Sequence, residues 1–143
     1  MYLTPHFTLE ELITSQIAAR EGLDNTPAPE ALANLKLLCL LLEQVRELVG
    51  GPIVVSSGFR CAELNRRVGG AANSAHTQGL AADFNTPACG PRALAERIRD
   101  SDLVFDQLIL EFDRWVHLAV AAERPRREVL TVRRGTGYLP GIR

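Results

Sequence analysis

The sequence has no long apolar run, no basic leader and no surplus of charge of one sign. Its longest apolar run covers residues 37–42. This run is far too short to span a bilayer, so we expect no membrane span. The N-terminal residues show no basic stretch followed by an apolar segment, so we expect no secretory signal and synthesis in the cytoplasm. The net charge of −1 gives no reason to expect nucleic acid as a partner.

Cysteine is also scarce. Cys39, Cys61 and Cys89 are an odd number without CxxC spacing, which argues against a disulfide framework and suits a reducing compartment. Apolar residues make up 46% and charged residues 23%, as in ordinary globular proteins. The 143 residues suffice for one domain with a hydrophobic core. We therefore expect a single monomeric domain over residues 1–143, with its core in residues 7–122 and a C-terminal strand and tail in 123–143.

Several segments have the pattern of helices. Thr8 and Glu11 are spaced as a capping box, which predicts a helix from about Leu9. From about Glu30, apolar residues recur at helical spacing until Gly50, and the middle of this segment is apolar nearly all round. We expect it to be a long, buried helix. Shorter helices are predicted over residues 62–70 and 90–100.

Other segments have the composition of strands. These are residues 52–60, 80–84, 103–112, 114–122 and 128–134. The last three follow one another with short links, which predicts an antiparallel sheet. With the helices packed on one side of this small sheet, the expected fold class is α+β.

Two histidines and one aspartate are candidate metal ligands. His76 and Asp83 lie in "NSAHTQGLAADF", and His117 lies within the apolar strand "RWVHLAV". A buried strand histidine needs a partner, because an unpaired polar group there costs about 1–3 kcal/mol. Two histidines and a carboxylate, with a fourth position open to water, form a common catalytic zinc set. His6, beside Pro5, is better explained as solvated.

The segments "SSGFRCAELNRRVGGAANSAHTQGLAADF" and "FDQLILEFDRWVHLAV" together resemble the LAS metallopeptidases, named for lysostaphin, the D-Ala-D-Ala metallopeptidases and sonic hedgehog. The likeness is greatest to the D-Ala-D-Ala carboxypeptidase branch and extends over about residues 7–120. It implies a hedgehog/DD-peptidase-like fold and one Zn²⁺ per chain, bound by His76, Asp83 and His117. It also implies that Arg60 contacts substrate and stabilises the oxygen that becomes negative during attack.

The general base is less clear from the sequence. Many of the proteins that the chain resembles have an acid three residues before the last zinc histidine, but position 114 is arginine here. If residues 112–114 form a three-residue hairpin loop, Glu111 pairs with Trp115 and shares a face with His117. A two-residue loop would turn Glu111 away. The hedgehog branch also has a glutamate six positions before its last zinc histidine, so we expect Glu111 to be the base, with Asp113 as the alternative.

The function implied by the resemblance is zinc-dependent hydrolysis of an amide bond in peptidoglycan stem peptides. The default substrate is D-Ala-D-Ala, although similar proteins also cut the L-Ala-D-Glu bond. Trp115 is a candidate wall of the substrate cleft, and Ser74 is a candidate substrate contact that also orients the loop before His76. Two alternatives stay open: a non-catalytic zinc-bearing binding module, and a phage structural or assembly protein on the same fold. A phage lysin released to act on the cell wall would fit the missing signal.

Overall fold

The computed structural model describes residues 1–143, which form eight strands and five α-helices. The strands are β1 (Tyr2–Thr4), β2 (Phe7–Thr8), β3 (Val54–Ser57), β4 (Ala81–Asn85), β5 (Gln107–Glu111), β6 (Trp115–Ala119), β7 (Glu128–Arg133) and β8 (Gly137–Pro140). The helices are α1 (Leu9–Ile13), α2 (Gln16–Glu21), α3 (Pro29–Val49), α4 (Ala62–Arg67) and α5 (Pro91–Arg99), with a short 3₁₀ helix at Ala75–Gln78. The mixed α+β class predicted from the sequence is confirmed.

One six-stranded sheet has the order β3-β4-β6-β5-β7-β8, and β1 and β2 pair separately. Its neighbours are antiparallel as predicted, except that β5 and β7 run parallel. The parallel pair has a physical reason, because β6 ends beside the start of β5, where Ala119 pairs with Gln107. The chain then passes that end of β5 and pairs Glu128 with Gln107 from the other side. A short link therefore gives a parallel pair, and sequence pattern alone does not reveal this step.

The core lies between one face of the sheet and helices α3 and α5. Alternate strand residues point into it and are 0% exposed: Phe84, Leu108, Leu110, Val116 and Leu118. The long helix α3 ends at Gly50, as predicted, and contributes eight buried residues. The expectation of a buried helix holds for one face only, because Leu37 and Leu40 in its apolar middle are 39% and 58% exposed. The helix lies at the edge of the core, so only its inner face is covered.

The N-terminal segment packs against this core. Thr8 caps α1 in a capping box with Glu11, as the sequence predicts. Phe7 and Leu12, on either side of the cap, are both buried. The helix is only five residues long, and α2 follows as a separate helix capped by Ser15. No helix in the structure combines the length and the apolar character needed to cross a membrane.

The opposite face of the sheet carries polar residues at its centre. Asp83 of β4 pairs with His117 of β6, and His117 pairs in turn with Ile109 of β5. Directly paired residues point to the same face, so the carboxylate and the imidazole project together. The strand register therefore positions two of the three predicted ligands before any loop is considered.

Candidate active site

His76 reaches the sheet from the 3₁₀ helix that precedes β4. The Ser74 hydroxyl caps this helix by accepting the His76 backbone N–H, and Gly79 ends it with φ 75°. The imidazole Nδ1 lies 2.8 Å from the Gly58 carbonyl oxygen. A carbonyl can only accept, so Nδ1 carries the proton and Nε2 has a free lone pair. This arrangement is the one that metal-binding histidines commonly show.

The free Nε2 of His76 lies 3.3 Å from Asp83 Oδ1. His117 Nδ1 lies 2.9 Å from the same oxygen. One ligand atom from each of the three residues lies within 4.8 Å of the others. All three residues are buried, at 3%, 6% and 8% exposure in chain order. The structure thus brings together the three residues predicted as metal ligands.

The two separations that the Asp83 carboxylate makes with the histidines fit a metal ion. Tetrahedral zinc with ligands at about 2.0–2.1 Å separates them by about 3.3 Å. The His76–Asp83 separation equals this value, and the His117–Asp83 separation is 0.4 Å shorter. Two imidazoles and one carboxylate are also a ligand set that suits zinc with one position left open. Geometry and ligand chemistry therefore agree.

Asp83 is the shared partner of the site. Burial opposes its ionisation, but the hydrogen bond that it accepts from His117 outweighs burial and holds the pKa of the Asp83 carboxyl well below its usual range. The second oxygen, Oδ2, lies 3.5 Å from Arg60 Nη2. The carboxylate is therefore charged at neutral pH, and Arg60 lies beside its second oxygen.

Arg60 follows β3 and is held by two side chains. Its Nε donates to Ser57 Oγ at 3.2 Å, and its Nη1 donates to Asn65 Oδ1 at 3.3 Å. Its backbone N–H donates to the His76 carbonyl at 3.1 Å. The side chain is 16% exposed. Arg60 is thus fixed beside the three ligands and keeps part of its guanidinium open to a ligand.

The sequence pattern did not indicate which residues support Arg60. Asn65 is 3% exposed and also donates to the Ala71 carbonyl at 2.8 Å. A Cβ at Gly70 would lie 2.1 Å from Asn65 Oδ1, so glycine is required there for the asparagine to fit. The one signal available was an asparagine within the short predicted helix, where this residue type is unfavourable unless it has another task.

Glu111 faces the site as the three-residue hairpin predicts. Glu111 pairs with Trp115 and Ile109 with His117, which confirms the predicted register. Glu111 Oε1 lies 3.8 Å from His117 Nδ1 and accepts the Trp115 indole N–H at 3.1 Å. Burial and the neighbouring Asp83 raise the pKa of the Glu111 carboxyl.

Asp113, the alternative base, lies in the hairpin turn with its side chain 51% exposed. It accepts two hydrogen bonds from Arg133, at 2.6 and 2.8 Å, and these lower the pKa of its carboxyl. A carboxylate held in this way is a weaker proton acceptor. The structure therefore favours Glu111 over Asp113 for the chemistry.

Ser74, a predicted substrate contact, and Cys61, which directly follows Arg60, have local structural tasks. The Ser74 hydroxyl is engaged at the helix cap, so its contact with substrate stays a prediction. Cys61 caps α4, where its sulfur accepts the Leu64 N–H at 3.4 Å, and it is not part of the metal-ligand group.

Two histidines and an aspartate converge on one point, flanked by a half-buried glutamate and a fixed arginine. This arrangement defines the site of a metal-dependent hydrolase. Comparison with known families agrees with this class. Residues 5–119 match the family model described as Peptidase M15. The chain belongs to this family, and the matched range contains every residue of the site.

A curated relative points in the same direction. The zinc D-Ala-D-Ala carboxypeptidase of Streptomyces albus G is 40% identical to this chain over 74 residues. The match covers 51% of this chain and 29% of the relative. The chain therefore corresponds to less than a third of that protein's length.

Proposed function

We propose that this protein is a zinc-dependent peptidase that hydrolyses an amide bond in peptidoglycan stem peptides, with D-Ala-D-Ala as its first candidate substrate. The observation that carries the proposal is the convergence of His76, Asp83 and His117 beside Glu111 and Arg60. Membership of the Peptidase M15 family supports the reaction type. The name of the Streptomyces relative supports the substrate.

His76, Asp83 and His117 are the proposed metal ligands. Zinc held there would supply Lewis-acid chemistry and lower the pKa of a water molecule to about 7. The Gly58 carbonyl fixes the His76 tautomer, and the strand register fixes His117 against Asp83. These contacts hold the ligand atoms in place in advance, which reduces the reorganisation that metal binding requires.

Glu111 is the proposed general base and acid. It accepts a proton from the attacking water and later donates it to the leaving amine. The raised pKa of Glu111 suits both steps, because a catalytic group works best when its pKa lies near the working pH. The Trp115 indole N–H orients the carboxyl and leaves its other oxygen available.

Arg60 is the proposed stabiliser of negative charge. Amide hydrolysis passes through a tetrahedral species whose oxygen becomes negative, and a fixed cation beside it lowers the barrier. Ser57 and Asn65 hold the guanidinium, so it does not have to reorganise during the reaction. Cleavage of the L-Ala-D-Glu bond would use the same three groups of residues. An experiment is therefore needed to tell which of the two bonds is cut.

The test is hydrolysis of a synthetic stem pentapeptide by the zinc-loaded chain, with products identified by mass spectrometry. Release of D-Ala indicates a carboxypeptidase, whereas cleavage after L-Ala indicates an endopeptidase. We expect Glu111→Gln to lower kcat by about 10²–10⁴-fold. The matched control Asp113→Asn, two residues away in the turn, should keep kcat within about twofold of wild type. Zinc-loaded wild type that cleaves neither bond would refute the proposal.

A further inference from the structure

A groove lies beside the candidate active site, at the tip of the β5–β6 hairpin. Its volume is about 630 Å³, and it is lined by Phe112, Asp113, Arg114, Trp115, Arg133 and Arg134. We call it the hairpin groove. Trp115 belongs to both places, because its indole donates to the proposed base Glu111. A group bound in the hairpin groove can therefore contact Trp115, which in turn contacts the proposed base Glu111.

The hairpin groove has a surplus of positive charge. Its one carboxylate, Asp113, is paired with Arg133 at 2.6 Å. Arg114 and Arg134 form no salt bridge and no side-chain hydrogen bond within the chain. Two guanidinium groups are thus free, and each presents N–H donors in a planar fork that matches a carboxylate. Many of the proteins that the chain resembles have an acid at the position of Arg114, so the arginine reverses the charge beside the site.

The hairpin groove also has an apolar wall. The rings of Phe112 and Trp115 lie 5.6 Å apart, tilted by 54°, and Phe112 is 43% exposed. Exposed aromatic surface next to free cations suits a ligand that is partly apolar and partly anionic. A segment of peptide that carries a carboxyl group has both properties.

We infer that the hairpin groove binds a carboxylate-bearing segment of the peptide substrate, with Arg114 and Arg134 as the residues that select for this charge. The inference rests on the proposed function for the identity of the substrate as a peptide. It adds a preference that the metal centre does not supply: stem peptides with free side carboxyls bind more tightly than those in which these carboxyls are amides.

The test uses Trp115, which is the one tryptophan of the chain, as a reporter of the hairpin groove. The zinc-loaded protein is mixed with a stem pentapeptide carrying a free D-Glu carboxyl, or with its amide twin. Fluorescence is read by stopped flow before turnover. We expect the free acid to bind about four- to twenty-five-fold more tightly at low salt, since two exposed guanidinium contacts each contribute about two- to fivefold.

The double variant Arg114→Gln/Arg134→Gln should bring this ratio close to one. The matched control Arg124→Gln removes an exposed arginine at the other end of β6 and should keep the ratio. Equal affinity for the twins in wild type, or a ratio that survives the double variant, would overturn the inference. A fluorescence change with inorganic phosphate at the same concentrations as the peptide would overturn it in favour of a phosphate polymer.

The two proposals fail separately in this experiment. Discrimination between the twins without cleavage of either would count against the proposed function alone. Cleavage of both twins with equal KM would count against the hairpin groove alone. Thermal unfolding of each variant serves as the folding control, and we expect no change because both arginines are exposed.

Discussion

At the scale of single residues, the site depends on buried polar groups that contact one another rather than a ligand. Asn65 donates to the Ala71 carbonyl and accepts from Arg60, so one side chain joins the glycine-containing loop to the guanidinium. Asn25 acts similarly, because it bonds the backbone of Phe59 and Cys61 on both sides of Arg60. Arginine is a long, flexible side chain, and these contacts restrict where its charge lies.

We expect Asn65→Ala to reduce kcat by about ten- to a hundredfold, because a misplaced cation no longer meets the developing charge. KM should change less than kcat if Asn65 acts only by positioning Arg60. The loss of a buried hydrogen bond should also destabilise the fold by about 1–3 kcal/mol. Steady-state kinetics and urea unfolding measure the two effects.

The control is Asn73→Ala in the same loop, where the side chain is exposed. It should leave kcat and stability close to wild type. An Asn65→Ala protein that is destabilised but retains full kcat would show that Asn65 is structural only.

Glu111 and Asp113 show how surroundings separate two acids that are close in sequence. Glu111 lies on the face of the hairpin that carries His117, near Asp83, and the pKa of its carboxyl is raised. Asp113 lies in the turn beside Arg133, and the pKa of its carboxyl is lowered. A loop one residue shorter would have turned Glu111 away from the face that carries His117, since side chains alternate along a strand.

At the scale of elements, a close approach of backbone to backbone holds His76 in position. Gly79 ends the 3₁₀ helix with φ 75°, and a Cβ there would lie 2.5 Å from the Ala31 carbonyl oxygen of α3. The long helix therefore supports the turn that carries His76. Asn34 adds a second contact, donating from α3 to the Gln78 carbonyl at 2.9 Å.

We expect Gly79→Ala to destabilise the fold by about 2–4 kcal/mol, because both the positive φ and the clash with a backbone oxygen oppose it. The matched control is Gly50→Ala, at a residue that also has a positive φ, of 69°, but where a Cβ would have no atom within 4 Å. Gly50→Ala should cost only the conformational part, about 1–2 kcal/mol. Urea unfolding of both variants measures the difference, and equal losses would contradict a close contact between α3 and the turn.

At the scale of the whole molecule, metal binding and folding should be coupled. The three proposed ligands come from a 3₁₀ helix and two strands that meet only in the folded chain. A metal that binds only the folded state adds about 2.7 kcal/mol when its free concentration is a hundred times Kd.

Removal of the metal by a chelator should therefore lower Tm by about 5–10 °C in a protein of this size. Addition of zinc should restore it. The variant His117→Ala should show no response to either reagent, because one of its three ligands is missing. A wild-type Tm that is the same with chelator and with zinc would argue against the metal centre.

Much of the molecule could be predicted from local pattern. The capping box of α1, the extent of α3 and the strands that carry Asp83 and His117 follow from residue type and periodicity. The hairpin register also followed from local geometry once a three-residue loop was assumed. All of these features are determined by residues that lie within a few positions of one another in the sequence.

The remaining features depend on contacts between distant parts of the chain. Pattern could not show that β7 joins β5 in parallel, that β8 covers β7, or that Leu37 and Leu40 stay exposed. Nor could it show that Asn65 supports Arg60 or that the two free arginines flank Trp115.

The sequence by itself determined the identity of the reactive groups, because two histidines and an aspartate within a recognisable pattern are already a metal-ligand set. Only the tertiary structure decided their arrangement and which acid joins them. The physical reason is that a site of this kind is defined by distances of about 3 Å between side chains from separate elements. Those distances are set by strand register and by core packing, which arise only when the whole chain has folded.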